Sequence, residues 1–394
     1  MFAIVAGVLC GVFAPAVAIQ TKPLSDIFID ALRWLVRPIV FCSVTVAIAT
    51  MGNLRQLGRL GLKAALYFEL LTLLTLAAGL AGAWLLQPGA GWHADAIPAI
   101  HGAAIAGAPV SLLDTLGGVF MKSPVLQLVL CAIACGIVLG ASGPKARRLV
   151  KLLQTCLRCL FTLVGWILLA APLAAFGAIA WTVGHYGFGS IGPLFQLLFA
   201  LYATTIGFML VLIVVIGRCC GVSLWKLIVY LKEEVLIVFS TTSSIAAMPK
   251  LIEKLQQAGC PAPVVDIVIP AGYSFNLTGS NIYIAVCMGF LAQAYHVELD
   301  FARCVSLILV LMVTSKSASG VAGSAFVALT ASLAVMPEVP AESMAYLLGI
   351  ERLLKCRPLA NILGNAVACI AVSAWCGQLK RDDLRAQLAV TPAS

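Results

Sequence analysis

The 394-residue chain is 62% hydrophobic and only 10% charged, with a mean hydropathy of +1.05, whereas soluble domains carry about a quarter charged residues. That composition describes an integral helical membrane protein, and its long continuous apolar runs exclude an outer-membrane barrel of short alternating strands. The net charge of +9 arises from Lys and Arg in short loops rather than on one basic face, which serves orientation in a membrane and excludes nucleic-acid binding.

A bilayer core of roughly 30 Å needs about 20 apolar residues per helix. The chain offers eight such spans, at about 2–19, 26–50, 62–87, 111–142, 148–183, 190–217, 264–292 and 343–379. The first carries a cleavage-like Ala16-Val-Ala18 but no basic residue before Lys22, so a retained, short first helix is expected. In the second and third, Asp30, Arg33, Arg37 and Glu69 read as interface or inter-helix pairs rather than ligands. Basic clusters fall at Arg55, Arg59 and Lys63, at Lys145 to Lys151, at Arg218 and Lys226, and at Lys380 to Arg385. All lie on one side of the eight-span arrangement, which puts both termini in the cytoplasm. The fourteen cysteines are scattered through apolar segments as small hydrophobes. Cys156 and Cys159 have metal-ligand spacing, but no His or second CxxC accompanies them.

Two apolar segments do not fit as spans. The first, 223–260, is cut by Ser240-Thr-Thr-Ser-Ser244 and by Pro249; the second, 301–336, is cut by Thr314-Ser-Lys-Ser-Ala-Ser-Gly320 and Gly323. Each half is too short to cross, so both are expected as re-entrant helical hairpins. Between them, Ala271-Gly-Tyr-Ser-Phe-Asn276-Leu-Thr-Gly279-Ser280-Asn281 interrupts an apolar run with a polar, glycine-flanked island. In hydrocarbon every backbone N–H and C=O needs an internal partner, so such a break marks a buried site. Freed carbonyls suit a small hard cation, and hairpin tips that end in helix N-termini suit a carboxylate. The last long helix adds Glu351, Arg357, Asn361 and Asn365. Arg357 reads either as a bidentate carboxylate ligand or as the ion-pair partner of Glu351. Asn361 and Asn365 are one turn apart, and their amides share a face that can complete an oxygen cage at Asn276 or hydrogen-bond across helices. There is no P-loop, no GxGxxG and no paired acid/base or metal set, so an enzyme is not expected, nor a cofactor; transport would be driven by an ion gradient.

The motifs Ser240-Thr-Thr-Ser-Ser-Ile-Ala-Ala-Met-Pro249, Ile269-Pro-Ala-Gly-Tyr-Ser-Phe-Asn-Leu-Thr-Gly-Ser280, Val313-Thr-Ser-Lys-Ser-Ala-Ser-Gly-Val-Ala-Gly323 and Arg357-Pro-Leu-Ala-Asn361 occur in that order. Together they resemble the dicarboxylate/amino acid:cation symporter family, which includes glutamate transporters, over nearly the whole chain. Lys22-Pro-Leu-Ser-Asp26, Leu66-Tyr-Phe-Glu69 and Gln87-Pro-Gly-Ala-Gly91 look closest to the bacterial four-carbon dicarboxylate carriers. The resemblance implies an all-α elevator fold of eight spans and two hairpins, assembled as a homotrimer in the lipid bilayer of the bacterial inner membrane. It assigns 1–222 mainly to a scaffold, with 62–87 joining the transport core of 223–380, and leaves 381–394 as a cytoplasmic tail. It places Ser243, Ser244, Ser280, the Val321 backbone, Arg357 and Asn361 around the substrate. One cation set, for sodium ions or protons as coupling ions, is Gly272, Asn276, Asn361 and Asn365. A second is Ser274, Leu277, Ser315, Lys316 and Ala318, largely through backbone oxygens, and the second hairpin would be the extracellular gate.

The chain departs from the family pattern in several places. Thr278 stands where the family carries an Asp, which weakens a third sodium site of Tyr67, Thr72 and Thr278. Ile245 and Ser317 replace an acidic residue and a glycine at the hairpin tips. The stretch from Glu351 to Asn361 is one residue short, which would rotate a continuous helix by about 100°. No acidic side chain is found at Leu354, Lys355 or Cys356, where amino acid carriers hold an ammonium. The expected function is therefore uptake of dicarboxylates such as succinate, fumarate and malate. A glutamate/aspartate symporter, and a transport-impaired sensor partner or leak pathway, stand as the alternatives.

Overall fold

The computed structural model describes residues 2–56, 58–90, 124–187, 191–221, 223, 225–318, 323–333, 336–340, 343–351 and 353–389. Among the described residues all regular structure is helical. The first half comprises α1 (Phe2–Phe13), α2 (Pro15–Ile19), α3 (Lys22–Gln56), α4 (Arg59–Leu86), α5 (Pro124–Ala141), α6 (Arg147–Leu169), α7 (Ala171–Tyr186) and α8 (Ile191–Cys220). The second comprises α9 (Trp225–Tyr230), α10 (Lys232–Thr241), α11 (Met248–Gln257), α12 (Ala262–Phe275), α13 (Thr278–Ala294), α14 (Phe301–Thr314), α15 (Ser324–Ser332), α16 (Met344–Glu351), α17 (Cys356–Trp375) and α18 (Arg381–Ala389).

Among the described residues, five stretches are long and apolar enough to cross a membrane: Arg59–Leu86, Arg147–Ile167, Gly192–Cys220, Ala262–Ala294 and Cys356–Trp375. Proline decides where other expected spans are divided. Pro15 separates α1 from α2, and the expected span 148–183 ends at Ala170, because Pro172 in the first turn of α7 supplies no N–H to a continuing helix. Only 124–142 of the expected span 111–142 lies within the described residues, and α5 covers it as far as Ala141. α1 and α2 pack on α7 through small residues: a Cβ at Gly7 would meet the Phe176 carbonyl at 3.0 Å, and Ala18 is fully buried. Without a hydrophobic drive between helices in lipid, this close approach holds them together.

The last expected helix, 343–379, needs correction. α16 ends at Glu351, residues 353–355 form a turn, and α17 restarts at Cys356 with Pro358 in its first turn. Glu351 and Arg357 therefore do not share one continuous helix, so the rotation by about 100° expected of one against the other does not apply; Arg357 and Asn361 both lie on α17 one turn apart.

Segment 223–260 doubles back on itself. Thr242 adopts a left-handed conformation (φ 55°) at the end of α10, Ser243 is extended, and a 3-10 turn at Ser244–Ala247 leads into α11. Lys254 on α11 then reaches back to Glu234 on α10 at 2.9 Å and to the Tyr230 carbonyl at 3.0 Å, while the Tyr230 hydroxyl donates to the Lys254 carbonyl at 2.9 Å. Segment 301–336 doubles back too, with the Thr314 and Ser332 hydroxyls 2.9 Å apart across α14 and α15. Between these segments, α12 and α13 form one rod whose most apolar window is buried throughout, whereas almost none of the corresponding window of α6 is buried. The rod is sheathed by α4, α8, α15 and α17. Its interruption therefore faces protein rather than lipid, as unpaired backbone groups require. α18 is docked: Leu384 and Leu388 are buried, and Arg385 donates to the Gly221 carbonyl at 2.9 Å.

Candidate binding site at the helix break

The rod breaks at Asn276 and Leu277, whose φ/ψ of −128°/60° and −92°/68° leave the helical region. The first N–H groups of α13 and the last carbonyls of α12 lose their intrahelical partners there. Asn361 supplies the missing cap from α17: its Oδ1 accepts from the backbone N–H of Gly279 at 2.8 Å and of Ser280 at 3.2 Å. Its Nδ2 donates to Ser280 Oγ at 3.1 Å. One turn on, Asn365 Oδ1 accepts from Asn276 Nδ2 at 3.0 Å. Glycine makes this contact between helices possible, since a Cβ at Gly279 would strike the Arg357 carbonyl and one at Gly272 would strike the Asn365 amide.

Ser280, Asn361, Asn276, Asn365 and Gly272, chosen from sequence, therefore come together in one buried cluster. The cluster is not self-satisfied. Asn276 Oδ1, Asn365 Nδ2 and Thr278 Oγ1 are buried without a hydrogen-bond partner, as is Ser244 Oγ at the first hairpin tip. Buried polar atoms are normally paired, so an unused amide oxygen beside a broken helix fits the oxygen ligation of a hard cation.

Arg357 occupies the first turn of α17. Its guanidinium donates to Glu351 Oε1 at 2.8 Å and lies over the Tyr283 ring, 5.3 Å from the centroid. Both members of the pair are more than nine-tenths buried. The pairing with Glu351 read from the sequence is present, yet Arg357 Nε and Glu351 Oε2 have no partner, so the pair leaves a donor open. The Ser244–Ala247 turn packs against α17, and Lys355 Nζ donates to the Phe239 carbonyl of α10 at 3.1 Å, bringing the first hairpin to the same helix start.

The other sequence candidates are placed as follows. Ser243 is extended at the hairpin tip and only partly exposed. Val321 lies outside the described residues. Ser315, Lys316 and Ser317 form a 3-10 turn at the end of α14 that packs against both halves of the rod, followed by buried Ala318. Leu277 is buried at the break, whereas Ser274 points to an exposed position. Tyr67 is partly buried, with its hydroxyl unpartnered, and Thr72 Oγ1 donates to the Phe275 carbonyl at 3.2 Å.

One feature is missing from the sequence reading. The Lys316 side chain reaches the break: Nζ lies 3.0 Å from Glu69 Oε1 and 3.2 Å from both Thr72 Oγ1 and the Phe275 carbonyl. The signal was present as two lone charges of opposite sign, one in a membrane helix and one in a serine-rich tip, since intramembrane charges seek each other.

The sequence profile of the sodium:dicarboxylate symporter family matches residues 1–375. The chain is 43% identical to a C4-dicarboxylate transport protein of Burkholderia ambifaria, over 99% of this chain and 94% of that one. It is 42% identical to proteins of the same name from Burkholderia orbicola, over 98% and 93%, and Burkholderia pseudomallei, over 98% and 94%.

Proposed function

The chain belongs to the sodium:dicarboxylate symporter family, and from that premise we propose that it is a secondary active transporter taking up C4-dicarboxylates such as succinate, fumarate and malate. The observation that carries the reading to the site is the buried guanidinium of Arg357 with its Nε donor open. A planar guanidinium suits a carboxylate, and in a dry site such a charge-assisted bond is about twice as strong as a neutral one. One substrate carboxylate meets Arg357 on the edge that Glu351 leaves unused. Ser244 Oγ, Ser280, Asn361 and the hairpin backbones at Ser243 and Val321 complete the substrate shell. Asn361 keeps α13 capped meanwhile, so its N-terminal dipole favours the anion.

The coupling cation, sodium or proton-derived, takes the set of Gly272, Asn276, Asn361 and Asn365, with Asn276 Oδ1 as the open oxygen. Its positive charge offsets the second carboxylate, so neither ion enters well alone. Ser274, Leu277, Ser315, Lys316 and Ala318, largely through backbone oxygens, are the second candidate set. The full architecture in this reading is eight spans and two re-entrant hairpins, with both termini cytoplasmic and a homotrimer in the bacterial inner membrane. The segment 223–380 together with α4 moves as the transport domain of an elevator, and the second hairpin gates it. The packing of α4 on α13 supports that grouping.

Uptake of labelled succinate into proteoliposomes, with sodium and proton gradients imposed one at a time, tests the proposal. Accumulation under at least one gradient, competed by fumarate and malate but not by aspartate, is expected. No accumulation under either gradient overturns it, and retained succinate binding would then leave a sensor or leak.

A further inference from the structure

The expected third sodium set does not suit a free ion. Thr72 Oγ1, one of its oxygens, lies 3.2 Å from the ammonium of Lys316. Thr278 Oγ1, another, has no partner and brings no charge. A sodium ion bound to Thr72 would sit against a fixed positive charge in a medium that screens it poorly.

The oxygens around Lys316 nevertheless form a cation site in their own right. A carboxylate from α4, a hydroxyl one turn further along the same helix and the carbonyl released at the end of α12 converge on one point. Phe275 adds its ring face, 5.8 Å from Nζ. Lys316 is nine-tenths buried, and its three donors meet these three acceptors. An ammonium is a compact point charge with three donors and needs no planar geometry, which suits it to a site built for a spherical ion.

We propose that Lys316 is a tethered cation, whose ammonium permanently fills the oxygen set of Glu69, Thr72 and the Phe275 carbonyl in place of an ion from solution. The chain thereby spends no sodium at this place, and any sodium dependence arises elsewhere in the site. The same contact fastens the end of α14 to α4 and to the break. Its consequence for coupling rests on the transporter reading, but ion binding by the purified protein does not.

The test is thermal unfolding of purified wild type, Lys316→Ala and Glu69→Gln/Lys316→Ala, titrated with sodium chloride against choline chloride and potassium chloride. Removing the ammonium leaves an anionic oxygen set, so Lys316→Ala is expected to gain a saturable, sodium-selective rise of about 2–4 °C beyond any rise in wild type. The added Glu69→Gln is expected to erase the gain. A folded Lys316→Ala protein with no sodium-selective gain overturns the proposal, as does a gain that survives Glu69→Gln. Should Lys316→Ala not survive extraction, Lys316→Gln keeps much of the stem and carries the same readout. A succinate-induced shift measured on wild type separates the outcomes: its absence counts against the dicarboxylate site, whereas its presence beside a failed sodium gain counts against Lys316 alone.

Discussion

On the α17 side of the break, the helix ends are met by neutral amides from Asn361 and Asn365, and several buried atoms are left unused. On the α4 side the same break is met by the Lys316 ammonium, which donates to the freed Phe275 carbonyl and is itself paired with the Glu69 carboxylate. The unused atoms cost stability in the empty protein, since each buried polar group without a partner forfeits about 1–3 kcal/mol. A ligand that supplies the missing partners recovers that cost, whereas a side already filled by its own lysine has little to recover. The proposed substrate and first cation sites therefore draw on the amide side, and the lysine side fastens the end of α14 to the break.

Removing Arg357 is the most severe way to test this contrast. Arg357→Ala leaves Glu351 buried without its partner and is expected to destabilise by about 3–5 kcal/mol, read as a fall in unfolding temperature together with loss of the succinate-induced shift. Glu351→Gln added to Arg357→Ala should recover much of the stability and none of the binding; recovery of both would mean that Arg357 is structural only. Gly279→Ala comes next. Its methyl would push α13 off the Arg357 carbonyl, which is expected to cost about 1–3 kcal/mol and to raise the apparent KM for succinate. Asn361→Ala removes the cap at Gly279 and Ser280 and should cost about 1 kcal/mol, with weakened succinate binding; Asn361→Asp retains the acceptor and should lose less stability. The smallest effect is expected far from the break. Gly7→Ala crowds the α1–α7 contact and should cost about 1 kcal/mol with succinate KM unchanged; a changed KM would extend the site beyond the break.

The break at Asn276 was legible in the sequence because lipid cannot satisfy an open backbone, so Asn, Ser and Gly inside an apolar run announce a buried contact. The reversal within 223–260 was legible for a related reason, as the serine cluster and Pro249 leave halves too short to cross. The turn at 353–355 was not foreseen, because Leu353, Leu354 and Cys356 continue the apolar run. Pro358 was the available signal, since proline in a first turn marks where a helix begins. Splitting the span 148–183 turned on the same signal at Pro172.

Sequence alone determined the membrane environment, the positions of the polar interruptions and the residue types at them, because these follow from local hydrophobicity and backbone chemistry. Only the tertiary structure decided which interruptions meet and which atoms remain open. Lys316 and Thr72 are 244 residues apart, yet their side chains touch. Glu351 and Arg357 are six residues apart and face each other only because the helix between them is broken. Hydrogen bonding and ion pairing act over about 3 Å, and that distance is set by how the helices pack rather than by where residues fall along the chain.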